Sequence, residues 1–125
     1  MEIKVGEYVR LARGQGINKI IDIKEYGDLI LDNDITDKDG DQCCLISSQD
    51  ADKEILNHSF NIPELIEVND FVNGHRVANI KNDEGRIEIG LETDHMINYY
   101  IEKEDIKTIL THEQYERISY RLGDN

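Results

Sequence analysis

The densest chemistry in the chain is the run Asp32-Asn33-Asp34-Ile35-Thr36-Asp37-Lys38-Asp39-Gly40-Asp41, five carboxylates within ten residues. Carboxylates at that density are what a hard divalent cation requires, so the first test is whether an EF-hand register fits. A loop beginning at Asp37 has acids at its first, third and fifth positions. It then puts Gln42 where the turn glycine belongs and Ser48 where the bidentate glutamate belongs. Starting at Ile35 restores Gly40 but loses both end ligands. Neither register is complete, and the residues favour a solvated hairpin loop with Asp-Gly turn chemistry over a cation site.

The remaining candidates carry less. His58 and His112 occupy equivalent places in an internal repeat, without a Cys, Ser or acidic constellation at catalytic or metal-ligand spacing. A shared structural role at a strand-to-helix junction, bonding a free backbone group, is the expectation. His75 and His95 fall in expected turns. Cys43 and Cys44 are neighbours, which suits two small strand side chains facing opposite ways and neither a staple, a zinc pair nor a redox pair. Gly14-Gln15-Gly16 is too short for a nucleotide fingerprint, and no nucleophile elbow or zincin motif occurs. No catalytic residue, cofactor or metal is expected, and the chain does not read as an enzyme.

Charge is more informative. The 125 residues hold 27 Asp and Glu against 14 Lys and Arg, a formal charge of −13. Such a balance disfavours a main role in neutralising phosphates or anionic lipid. Residues 1–31 are neutral, so the excess lies in residues 32–66 and 67–125. The expected partner surface is therefore acidic: Asp32, Asp34, Asp37, Asp39 and Asp41 first, Glu102, Glu104 and Asp105 second. Its complement is a host protein with a basic surface, such as a nuclease. The runner-up is a nucleic-acid contact through Arg10, Arg13 and Lys19 near Tyr8, and a part in virion or nucleoprotein assembly is a further alternative. The N-terminus shows no signal pattern and no apolar run is long enough to span a bilayer, so a cytoplasmic setting in a bacterial host is expected.

An internal repeat organises the elements that must position these groups. Val5-Gly6-Glu7-Tyr8-Val9-Arg10 matches Val68-Asn69-Asp70-Phe71-Val72-Asn73, and Ile20-x-x-Ile23-Lys24 matches Val77-x-x-Ile80-Lys81. A glycine turn and an alternating strand follow in each copy, and Ile55-Leu56-Asn57-His58 matches Ile109-Leu110-Thr111-His112. The chain reads as two units, 1–66 and 67–125. Strands are expected near 7–12, 17–24, 28–32, 42–47 and 54–58, then near 70–73, 76–81, 86–92, 96–102 and 106–110. Ile62 to Ile66 is expected to form a helical turn that tolerates Pro63. Thr111 and Gln114 form a capping box, after which Tyr115, Ile118 and Leu122 recur at helical spacing up to Gly123.

Five short strands with tight turns in sixty residues, opening on Val-Gly-Glu-Tyr-Val-Arg, resemble SH3-like and KOW-type barrels. The resemblance implies a mainly β fold of two tandem SH3-like barrel units with short helical segments and a C-terminal amphipathic helix. Because a sixty-residue barrel buries too little surface to be secure alone, the units should pack together with the helical segments in the seam. The wording of Val5 to Arg10, His58 to Ile62, Leu65 to Gly74 and Ile106 to Tyr120 is similar to a group of small acidic proteins encoded by phages and prophages of Firmicutes. Asn69 departs from the glycine expected in its turn. What the resemblance implies is a mobile-element accessory protein, and it brings no binding or catalytic residues with it.

Overall fold

Alternation of apolar and polar residues produces two antiparallel five-stranded sheets. The structure, a computed structural model, describes residues 2–37, 39–93 and 97–118. The first sheet is built from β1 (Tyr8–Leu11), β2 (Gly16–Ile23), β3 (Leu29–Thr36), β4 (Gln42–Ile46) and β5 (Ile55–Ser59), with the single turn α1 (Ala51–Glu54) before its last strand. The second uses β6 (Phe71–Val72), β7 (His75–Asp83), β8 (Arg86–Glu92), β9 (Ile97–Ile101) and β10 (Ile109–Leu110), followed by α2 (His112–Ile118). Strand order is β5-β1-β2-β3-β4 in one and β10-β6-β7-β8-β9 in the other. The two orders are the same once the repeats are aligned.

The likeness extends to single hydrogen bonds. Gly6 N–H donates to the Ile20 carbonyl and Ile20 N–H to that of Glu7; Asn69 N–H donates to Val77 and Val77 N–H to Asp70 in the same way. Gly6 has φ +96° and Asn69 φ +79°, so asparagine performs the left-handed turn for which glycine was expected. A β-bulge interrupts β2–β3 between Ile20 and Asp22 and β7–β8 between Val77 and Asn79, the corresponding place. Bulges bend a strand, and these curl each sheet over its own core. Val9, Leu11, Ile20, Leu29, Leu31, Ile35, Ile46 and Ile55 form the first core; Ile66, Val72, Val77, Ile89, Leu91 and Ile101 form the second.

Closed barrels are not formed. Among the described residues β4 does not pair with β5, nor β9 with β10. In the first unit the segment that would join those edges turns through α1, and Ala51 packs on the core in place of a backbone ladder. In the second, a 3-10 turn at Lys103–Asp105 takes that place. Both turns lie outside the expected elements. A second correction concerns β3, which continues through Asp32–Thr36 where a loop was expected, because Ile35 returns to the core.

The seam between the sheets is made by helical segments. A 3-10 turn at Ile62–Leu65 buries Pro63 and Leu65. α2 lies on the β1–β2 hairpin so closely that a Cβ on Gly16, φ +80°, would stand 2.5 Å from Gln114 Nε2. The capping box forms: Thr111 N–H donates to Gln114 Oε1 at 2.9 Å and Gln114 N–H to Thr111 Oγ1 at 3.2 Å. Leu122 and Gly123, expected to end this helix, lie outside the described residues, as does His95. No helix among the described residues is long and apolar enough to cross a membrane.

Candidate functional site

The acidic run is shaped by an irregular pairing. Ile30 faces Leu45 and Ile35 faces Cys43, so β3 sets Leu31 to Asp34 opposite the single residue Cys44. The strand bows outward there, and Asp32 and Asp34, two residues apart on one face, are exposed. Asp32 Oδ1 accepts the Lys19 N–H at 2.9 Å, holding the bow against β2. Beyond Thr36 the chain turns back in a loop that Asp37 organises. Its Oδ1 accepts the N–H groups of Asp39 and Asp41, both at 2.9 Å, and its own N–H donates to the Asp41 carbonyl at 2.8 Å. Gly40 supplies the left-handed residue, φ +87°. Asp37 therefore braces the loop, while Asp39 and Asp41 project from it into solvent. Lys38 is outside the described residues.

This braced loop borders a cleft of about 310 Å³ on the open side of the first sheet. Ile35, Cys43, Leu45 and Ile46 form its apolar floor, and Asp37, Asp39, Asp50 and Glu54 its rim. Among the described residues the rim holds one cation, Arg13, paired with Glu54 at 2.7 Å. The second predicted patch differs. Glu102 pairs with Arg86 at 2.9 Å, and Glu102 and Glu104 line a cleft of about 360 Å³ together with Arg86 and Lys103. Asp105 accepts at its backbone carbonyl from Asn73 Nδ2. That patch is of mixed sign, and the two sets of acids border different clefts, of which the first carries the greater excess of negative charge.

Arg10 is the largest departure from the sequence reading. The runner-up reading put it on a basic face with Arg13 and Lys19, yet it has no exposed surface. Val9 and Leu11 face the first core, so Arg10 faces the other way, into the seam. There Nη1 donates to Asp70 Oδ2 at 2.5 Å and to the Leu65 carbonyl at 2.9 Å. Nη2 reaches Asp70 Oδ1 at 2.9 Å and Glu113 Oε2 at 2.5 Å, and Nε reaches Glu113 Oε1 at 3.1 Å. All five N–H donors of the guanidinium are matched. Asp70 also accepts the backbone N–H groups of Glu67 and His112 at 2.7 and 2.8 Å. Burial alone would lower the arginine pKa; the carboxylates of Asp70 and Glu113 outweigh it and hold the value above the ordinary one. In the repeat, Asn73 stands where Arg10 does, and sequence alone gave no sign that one of the pair is buried.

The histidines bond carboxylates where a free backbone group was expected. His58 Nδ1 lies 2.9 Å from Glu7 Oε1, and Glu7 Oε2 accepts the Lys4 N–H at 2.6 Å. Burial would raise the Glu7 pKa, but the His58 and Lys4 hydrogen bonds prevail and hold it below 4.5. His112 Nε2 lies 2.9 Å from Glu67 Oε1 and its Nδ1 3.0 Å from Glu113 Oε2. Glu67, His112 and Glu113 are close enough to suggest a metal centre. The donor set argues against one: Arg10 holds both Glu113 oxygens, and the two ring nitrogens face different carboxylates. The arrangement is an ion-pair network across the seam.

Compared with family models, with curated proteins and with solved structures, the chain finds no match in any of the three.

Proposed function

We propose that this chain is a non-enzymatic accessory protein of phage or prophage type that works in the bacterial cytoplasm by binding a host protein through acidic surfaces. The observation that carries this reading is the hairpin braced by Asp37, which presents Asp39 and Asp41 to solvent at the end of a strand on which Asp32 and Asp34 are also exposed. A loop already fixed by its own hydrogen bonds loses little freedom on docking, so its charge is available for recognition. The complementary surface is a basic groove of the kind that holds nucleic acid, as in a defence nuclease. Occupying it would make the protein an anti-CRISPR-like inhibitor, in the concrete form of a DNA mimic.

The SH3-like reading of the two units is supported by a four-strand meander in each, followed by a helical turn and a fifth strand that returns to the first. Direct nucleic-acid binding through Arg10, Arg13 and Lys19 has less support, because Arg10 is buried and Arg13 is paired with Glu54. The test is capture from bacterial lysate on the immobilised protein, followed by elution with duplex DNA. Nucleic-acid-binding proteins should be captured and released by the DNA. Direct binding of the chain to DNA, steeply weakened by salt and with no protein captured, would overturn the proposal.

A further inference from the structure

The cleft beside the acidic hairpin lies against an unpaired sheet edge. Among the described residues β4 pairs only with β3, leaving its other side open. Edge strands are normally protected by charge, proline or extreme shortness. β4 reads Gln42-Cys43-Cys44-Leu45-Ile46, with no charged residue and no proline, and Leu45 is 39% exposed. Cys43, Leu45 and Ile46 of this strand line the cleft whose rim, among the described residues, carries Asp37, Asp39, Asp50 and Glu54 against the one cation Arg13.

Resting on the protein-binding reading above, we infer that the β4 edge receives an extended lysine- or arginine-bearing segment of the partner as an added strand. Its backbone pairs with β4, and alternate side chains lay their aliphatic stems on Ile35, Cys43 and Leu45 while their cationic heads meet the acidic rim. A second copy of this chain does not fit the same edge, since two such rims would be brought together at a formal charge of −13 each.

A fluorescein-labelled Val-Lys repeat decapeptide tests this by anisotropy, alongside a Val-Glu repeat and a Val-Lys peptide N-methylated at alternate residues. The Val-Lys peptide should bind, the Val-Glu peptide should not, and N-methylation should weaken binding about tenfold by removing backbone donors. Amide exchange at residues 42–46 should slow on binding. Leu45→Lys should weaken binding about tenfold through like charge, with Cys44→Lys as the second variant should the first not fold. Equal binding of the N-methylated peptide, or protection elsewhere in the chain, overturns the inference. Cytochrome c, a folded basic protein, separates the two levels. If it binds while the Val-Lys peptide does not protect β4, the edge inference fails and the acidic-surface reading stands; if neither binds, both fail.

Discussion

The guanidinium of Arg10 and the carboxylate of Asp70 form a two-pronged pair, at 2.5 and 2.9 Å, in which neither side chain has any exposed surface. Arg10 comes from the first sheet; Asp70 precedes the first strand of the second. A buried pair adds little over well-packed apolar residues, but breaking it leaves an uncompensated charge. Asp70→Asn should therefore cost about 3–5 kcal/mol in urea unfolding. Arg10→Lys should also destabilise, because an ammonium has three donors for the five acceptors now met. A double-mutant cycle with Asp70→Asn and Arg10→Met should show strong coupling, and additive effects would remove the pair from the account.

Gly16→Ala should destabilise by about 2–3 kcal/mol, combining a left-handed residue with loss of the Gln114 cap. The added methyl would stand 2.5 Å from Gln114 Nε2, and Gln114 is held by Thr111. Gly40→Ala is the control, with φ +87° and open space around it, and should cost only about 1–2 kcal/mol. Thermal unfolding of the two variants gives the comparison.

Glu7 sets part of the acid limit of stability. Its pKa is held below 4.5, so the folded state favours the carboxylate, and the resulting stability is present above that value. The contribution is lost as pH falls below 4.5 through the depressed folded value. Chemical denaturation from pH 6 to pH 3 should show wild type losing stability more steeply than Glu7→Gln; parallel curves would contradict the assignment.

The acidic hairpin separates charge from scaffold. Asp34→Lys, Asp39→Lys and Asp41→Lys together should abolish capture of a basic partner and leave the melting temperature nearly unchanged, because all three project into solvent. Asp37→Ala removes the acceptor of two backbone N–H groups and should cost about 1 kcal/mol. Asp37→Asn keeps an acceptor oxygen and should be milder. Calorimetry and binding measured on the same samples distinguish the two roles.

Periodicity of two was enough to place each of the ten strands of the described residues, though not the far half of β3, since Val9 and Leu11, or Ile89 and Leu91, must face one core. The turn at Asn69 and the capping box of Thr111 and Gln114 were equally legible, being local geometry written by local residues. What escaped was long-range or irregular. Arg10 reads as a surface cation because its acceptors lie 55 to 103 residues away. The bow at Leu31–Asp34 depends on which residues of β4 face it, and no pattern within β3 announces that. Of the site, the acids were visible as composition; that Asp37 braces while its neighbours project was not.

The same separations impose an order on biosynthesis. β1 and β2 are neighbours and can pair as soon as both leave the ribosome, whereas Glu113 is made more than a hundred residues after Arg10. At first Arg10 is a hydrated cation on a nascent hairpin. Leu65 and Asp70 can meet it earlier, but its five acceptors are complete only when Glu113 has emerged, so the final closing of the seam is a late event in the life of each new chain.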